Sequence, residues 1–363
     1  MAKLCVIYNM AAKYREPIFK LMDKKMDIDW YYGDPIGDIK ELDQKKLDRV
    51  TKLKRITFKN LTWQKGVVKL LMNSKYDKYL ILGEPLTVST WIFLLLRPIF
   101  ASKKKVYFWS HGWYGREGFI KKWLKRIFFS LGDGTFLYGN YAKKIAEEQG
   151  NPSDKLWVIH NSLDHSQHLK LRESLNYTGI YPSHFNNTNP TLLFIGRLTP
   201  VKHLDLLLNA VKKLQDKGEN YNVVLIGDGQ EKENLMNLAE ILGINVWFYG
   251  RCYDDKQTAQ LIYECDLCVS PGNVGLTAIH SMSFGTPVLT HSNFTNQMPE
   301  FEAIHDGETG SFFEEGNIQS LANNISLWFK NHNEREEVRK NCYKEIDTQW
   351  TPEYQFDIIK KYI

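Results

Sequence analysis

Short apolar runs recur along the chain, and between most of them lie stretches whose apolar residues repeat every three or four positions. In the first half the runs fall at residues 4–9, 28–32, 78–83, 106–110, 135–138 and 156–160, with helical periodicity between them, for example at 63–72 and 141–148. Alternation of strand and helix at this spacing predicts a parallel sheet covered by helices on both faces. The rhythm stops over 170–190, where residues 181–190 are polar and turn-rich, as linkers are. It then restarts. Strands are predicted at 191–195, 222–226, 245–249, 266–270 and 287–290. Leu204, Leu207, Leu208, Val211 and Leu214 mark one helix, Leu235, Leu238 and Leu242 a second, and Ile318, Leu321, Ile325 and Trp328 a late one. The pattern describes an α/β chain of two Rossmann-like domains, 1–170 and 188–348. Ligands of such sheets sit outside the carboxyl ends of the strands, so a cleft between two facing domains is the expected site.

A length of 363 residues agrees with two cores rather than one. A hydrophobic share of 43% and a charged share of 25% are ordinary for a globular chain and exclude a disordered or collagen-like one. No apolar run reaches the roughly 18 residues of a spanning helix; the longest, from Trp91 to Leu96, stops at Arg97 and Pro98. The N-terminus runs straight into a strand without the parts of a signal peptide, which predicts a cytoplasmic protein. The five cysteines are scattered and odd in number, so no disulfide framework is expected. Cys265 and Cys268 have C-x-x-C spacing but sit in an apolar run, and a core role is expected for them.

The net charge of +5 hides an asymmetry. Residues 1–175 carry 32 Lys and Arg against 18 Asp and Glu, a net +14, and the remainder carries 15 against 24, a net −9. Aromatic residues accompany the positive half. Residues 119–129 read as a basic amphipathic helix with Trp123, Ile127 and Phe128 on one apolar face. One reading is a core-facing helix with a solvated basic back. The other is docking on an anionic membrane surface, at its inner face, or on a phosphorylated acceptor. No motif supports nucleic-acid binding.

Candidate chemistry concentrates in the second half. The strand at 191–195 ends in Gly196, followed by Arg197 and Lys202 near a helix start. Two fixed cations beside free N–H groups make a diphosphate site in physical terms. Three similar strand ends follow: Gly227-Asp228-Gly229, Gly250-Arg251-Cys252, and the loop of Asn273, Val274, Gly275 and Leu276 that opens the next helix. Asp27-Ile28-Asp29 has the spacing of a metal motif found in a single-domain glycosyltransferase fold; before an early strand it is expected to be merely solvated.

With these stretches in this order, the chain resembles the retaining GT-B glycosyltransferases of family 4 over nearly its whole length. The run from Gly196 to Lys202, the Gly227–Gly229 turn, Ser270-Pro271 to Val288, the stretch Val158 to Asp164, and Pro299-Glu300 with Asp306 to Gly310 carry the likeness. The resemblance implies a GT-B fold with residues 350–363 crossing back to the first domain. It implies transfer from a UDP- or GDP-linked sugar to a glycan or lipid-linked glycan in surface polysaccharide synthesis, with the nucleotide sugar as co-substrate and no metal or other cofactor. It assigns His111, Arg197 and Lys202 to catalysis, and Gly196, Gly227, Gly229, Arg251, Cys252, Asn273, Val274, Gly275, Leu276 and His280 to the donor. Arg15 and Glu84 are cleft or acceptor candidates. The chain departs from the family at Gly272 and His280, where two glutamates stand in relatives. His280 retains hydrogen-bonding capacity toward a ribose, whereas Asn273 or the loop backbone must stand in at 272. Glu300 and Glu302 are candidate replacements for the carboxylate. Two other readings share the scaffold: a nucleotide-sugar epimerase, which needs a carboxylate pair that is not evident, and a non-catalytic nucleotide-sugar-binding partner.

Overall fold

The structure, a computed structural model, describes residues 3–35, 37, 40–332 and 334–363. It divides into two compact units, Met1–Asp164 with Thr351–Ile363, and His165–Trp350.

In the first unit the strands are β1 (Lys3–Tyr8), β2 (Ile28–Tyr32), β3 (Val50–Lys52), β4 (Arg55–Phe58), β5 (Leu61–Gln64), β6 (Tyr76–Leu82), β7 (Lys105–Ser110), β8 (Gly134–Leu137) and β9 (Leu156–Val158). Seven of them form one parallel sheet in the order β3-β2-β1-β6-β7-β8-β9. Its central strands are covered on both faces, which is why they read as unbroken apolar runs. One face packs Phe19, Trp30, Tyr32 and Trp109; the other packs Tyr79, Phe93, Phe108 and Phe128. The terminal helix Pro352–Tyr362 belongs to this unit and buries Phe356 and Ile359 in the first of those layers. Tyr362 stacks on Trp157 at 4.1 Å. Gln355 donates from Nε2 to the His160 carbonyl and accepts from Ser162 Oγ, both at 2.6 Å.

The second unit contains β10 (Thr191–Ile195), β11 (Asn222–Ile226), β12 (Val246–Gly250), β13 (Leu267–Ser270), β14 (Val288–His291) and β15 (Gly310–Phe313). They form a parallel sheet in the order β12-β11-β10-β13-β14-β15. The order reverses beside β10, so the loops after β10 and β13 splay at the sheet's switch point.

Several expectations need correction. Residues 63–72 are not one helix: β4 and β5 form an antiparallel hairpin turning at Lys59-Asn60, and only Val67–Leu70 is helical. β-branched and aromatic residues outweigh the helical spacing there. The stretch 170–190 is not a linker. It carries helices His165–Arg172 and Ile180–Phe185, and Tyr181 and Phe185 are buried in the second unit's core. The buried Glu264 carboxylate accepts from the backbone N–H groups of Thr178, Gly179 and Ile180, at 2.9 to 3.0 Å, which fixes the turn. The units accordingly meet in sequence at Asp164 and His165, rather than at 170. Asp29 is not solvated. It pairs with Lys3 at 2.9 Å and Arg49 at 2.7 Å, and accepts from Tyr76 Oη at 2.6 Å. Finally, the helix Phe119–Ser130 buries Phe128 and Phe129, whereas Trp123 is 57% exposed and turned away from the core. Cys265 and Cys268 are buried, and the five cysteines are free thiols.

Candidate functional site

The carboxyl edge of the second sheet is built by backbone packed on backbone. Gly196 N–H donates to Ile226 O at 2.9 Å, Leu198 N–H to Asp228 O at 3.0 Å, and Gly227 N–H to Gly250 O at 2.8 Å. A Cβ on Gly227 would stand 1.8 Å from the Gly196 carbonyl oxygen, and φ at Gly227 is +142°, so only glycine fits. The loop after β13 folds onto the turn Pro200–Lys202 in the same way. Gly272 N–H donates to Lys202 O at 3.0 Å, and a Cβ at 272 would stand 2.0 Å from the Val201 carbonyl oxygen. Position 272, where the resemblance leads one to expect a glutamate, is therefore closed to any side chain in this backbone.

That contact places Lys202. Its ammonium donates to the Asn273 carbonyl at 2.6 Å and to Asn273 Oδ1 at 2.8 Å. Burial pulls its pKa below the usual lysine value; the buried Glu300 opposes that shift and the neighbouring Arg197 cation adds to it. The site thus gathers Arg197, Lys202, Asn273 and Glu300. Two cations that repel each other are relieved by an anion lying between them. The Val274 N–H is already taken by Gln297 Oε1 at 2.9 Å, so it is not free for a ligand. Gln297 also donates to Thr290 Oγ1 and the His291 carbonyl, at 2.8 and 3.0 Å, and locks the loop from beneath. Gly275 and Leu276 open the helix Leu276–Ser283, whose first-turn N–H groups face outward from its start. His280 stacks on His168 at 5.7 Å, and its pKa is lowered to about 4 by burial. Arg251 is exposed and pairs with Asp228 at 3.1 Å; the Cys252 thiol donates to Asp254 O at 3.7 Å. Glu302 lies part-buried in the short turn Pro299–Ala303.

In the first unit a cavity of about 350 Å³ opens at the carboxyl ends of β1, β6 and β7. Arg15, Glu84 and His111 line it together with Tyr8, Tyr14 and Lys125. His111 follows β7, its ring 4.7 Å from that of Tyr138, and its buried Nδ1 has no hydrogen-bond partner. Burial, then the Arg15 and Lys125 cations, push its pKa down to about 3. Lys125 is itself neutralised by Glu117 at 2.5 Å, and Glu117 accepts the Tyr114 and Gly115 N–H groups at 2.9 Å, so the loop after His111 is fixed. Burial raises the Glu84 carboxyl. Gln297, Tyr8 and Tyr138 were not singled out in the sequence; no local motif marks residues whose partners lie so far away along the chain.

With this geometry in hand, comparison with known proteins is informative. Residues 181–345 match the family model described as glycosyl transferases group 1. An uncharacterized 41.2 kDa protein of the cps region of Klebsiella pneumoniae is 26% identical over 244 residues, 62% of this chain and 64% of the relative. A Campylobacter jejuni alpha-1,4-N-acetyl-D-galactosaminyltransferase acting on an undecaprenol-linked glycan is 30% identical over 45% of this chain and 44% of its own. These matches span less than two thirds of the relatives' length. Among solved structures, Anabaena HepE in complex with UDP superposes with a TM-score of 0.74 at 16% identity, covering 100% of this chain and 99% of that one. The lipopolysaccharide outer core galactosyltransferase WaaB superposes with a TM-score of 0.74 at 13% identity, covering 99% and 100%. At such identities the likeness establishes the fold, which is GT-B.

Two outcomes are expected. The His111 ring resonance should stay flat between about pH 5 and 8 in an NMR titration, because its folded pKa lies near 3. Since the unfolded chain takes up that proton near pH 6.5, stability should fall as pH drops below 6.5, by roughly 1–2 kcal/mol for this residue at about pH 5. A ring that titrates near 6.5 contradicts the assignment. Second, Gly272→Ala should lower unfolding stability by about 1–3 kcal/mol in urea, and the larger Gly272→Glu should cost more. Parental stability in the glutamate variant would refute the packing argument.

Proposed function

Because its second unit carries a glycosyl transferases group 1 domain in a GT-B fold, we propose that this chain is a retaining glycosyltransferase. It takes a UDP- or GDP-linked sugar and delivers that sugar to a glycan or lipid-linked glycan acceptor of a surface polysaccharide. The observation that carries the reading is the Arg197–Lys202 pair at the sheet's carboxyl edge, with Lys202 held in place by Asn273. Solved structures titled as complexes with UDP and UDP-glucose share the fold, which supports a nucleotide sugar as the ligand.

In this mechanism the bond between the anomeric carbon and the β-phosphate oxygen breaks while the acceptor oxygen bonds to the same face of that carbon. The acceptor hydroxyl's proton passes to the departing phosphate oxygen. Charge grows on the diphosphate, and Arg197 and Lys202 stabilise it there, as preorganised cations do. No metal is assigned a part. Gly196, Gly227 and Gly229 keep the loop edge tight beneath the nucleotide, and the Gly275–Leu276 helix start offers N–H groups to the phosphates. His111, neutral at physiological pH, serves as a hydrogen-bonding group for the transferred sugar, and the cavity it shares with Arg15 and Glu84 takes the acceptor.

We also propose that the first unit rests on an anionic membrane surface. No helix among the described residues is long and apolar enough to cross a membrane. The helices Val88–Phe100 and Phe119–Ser130 are joined by Trp91 packing on Phe128 at 5.2 Å. They expose Leu95, Ile99 and Phe100 on one, and Phe119, Ile120 and Trp123 on the other. Lys103, Lys121 and Arg126 are exposed on the same segments. Apolar side chains rimmed by lysine suit an interfacial seat among anionic lipids.

Arg197→Ala or Lys202→Ala should lower turnover by roughly 100-fold or more, from the loss of one charge-stabilising group, and wild-type activity should persist in EDTA. The measurement is product formation from a panel of UDP and GDP sugars, with binding of UDP and GDP followed by thermal shift. Stabilisation by a nucleotide without product from any donor supports the non-catalytic reading instead. In co-sedimentation, vesicles containing phosphatidylglycerol should retain the protein more than phosphatidylcholine vesicles do. The double variant Lys121→Glu, Lys122→Glu should weaken that retention by roughly 10-fold or more, at about 1 kcal/mol for each charge near the surface. Equal binding to both vesicle types would end this part of the proposal.

A further inference from the structure

Arg15 is the least expected charge in the first unit. It lies at the turn that opens helix Glu16–Lys25, is only 6% exposed, and lines the His111 cavity. Its guanidinium carbon stands 5.1 Å from the ring centre of Tyr8, 5.2 Å from Tyr14, 5.6 Å from Trp109 and 5.2 Å from Tyr138. Nη1 donates to the Tyr138 hydroxyl, which lies 3.3 Å from that of Tyr8. Among the described residues no carboxylate pairs with Arg15. The nearby Lys125 has its own partner in Glu117, and Glu84, which lines the same cavity, makes no ion pair with Arg15 among the described residues.

A buried cation normally lies beside an anion, because ring faces and phenols replace only part of the hydration it has lost. Here four rings make the burial tolerable and fix the planar fork in one orientation. They leave the charge uncompensated at the wall of a cavity large enough for a sugar residue. A guanidinium in that state matches a carboxylate or phosphate through parallel N–H donors. The orphaned Nδ1 of His111 lies in the same wall and supplies a second contact.

We infer that the acceptor presented to this cavity carries an oxyanion, a phosphate or a carboxylate on or next to its terminal sugar, and that Arg15 holds it. The inference rests on the proposed transferase reading and names the acceptor class within it. It separates acceptors by charge: a neutral glycan leaves the guanidinium bare, whereas an anionic one fills the vacancy and is positioned by it.

The test uses the full chain and three probes: glucose, glucose 6-phosphate and glucuronic acid, titrated by NMR while the His111 ring resonance is followed. One or both anionic sugars should bind about ten-fold or more tighter than glucose and move the His111 resonance. Which of the two does so separates phosphate from carboxylate. In Arg15→Gln that preference should vanish, and in Arg15→Lys part of it should return. Equal affinity for all three sugars in the wild-type chain, or anionic binding that leaves His111 unmoved, overturns the inference without recourse to any variant. A parallel titration with UDP and GDP keeps the two ideas apart. Nucleotide binding without anion preference leaves the transferase reading standing and removes this one. Anion preference without nucleotide binding does the reverse.

Discussion

The close approach of main chain to main chain along the carboxyl edge of the second sheet governs what the rest of that unit can do. Three strand-end loops hydrogen-bond to one another in series, and a fourth folds onto the turn that carries Lys202. A Cβ at Gly227 would strike the Gly196 carbonyl, and one at Gly272 the Val201 carbonyl. The consequence is positional. A lysine on a free loop samples many rotamers and loses much of its electrostatic value to entropy and solvent. A lysine held by two oxygens of one asparagine, on a loop pressed against its own backbone, is preorganised. The same packing leaves no room for a side chain at 272: the space it would need is occupied by the Val201 carbonyl.

The first unit achieves order by a different means. Its sheet is sealed by large aromatic side chains, and the aromatic layer reaches the cavity wall through Tyr8, Trp109 and Tyr138. These rings form the sheet's core on one side and the surroundings of a cation on the other. Packing and electrostatics are thereby set by the same atoms. A substitution that loosens the core there also changes the dielectric around Arg15 and His111.

Much of the architecture was legible in the sequence, for a physical reason. Strands buried on both faces appear as apolar runs, and those at 28–32, 191–195 and 222–226 coincide with observed ones. The misses are the elements where that reason fails. β3 is an edge strand with two exposed residues, and β15 is a four-residue strand of which two are only part-buried. The helix His165–Arg172 has almost no apolar periodicity, so nothing in the sequence marks it as an element. The candidate site divides in the same way. Arg197, Lys202 and His111 are visible because each follows a strand end. The Gln297 lock on the Val274 N–H, the Asn273 tether of Lys202 and the Arg15 bond to Tyr138 join residues 23, 71 and 123 positions apart, which no local pattern reveals.

The return of helix Pro352–Tyr362 to the first unit carries a further consequence. That unit is discontinuous in the chain, with the whole of the second unit inserted between its two parts. During synthesis the second unit emerges as one uninterrupted piece and is able to close its core as it appears. The first unit, although its sheet emerges earlier, must wait with the seats of Phe356 and Ile359 unfilled until helix Pro352–Tyr362 has been made. The first unit is therefore completed after the second, and throughout that interval its aromatic interior is the surface on which chaperones or aggregation would act.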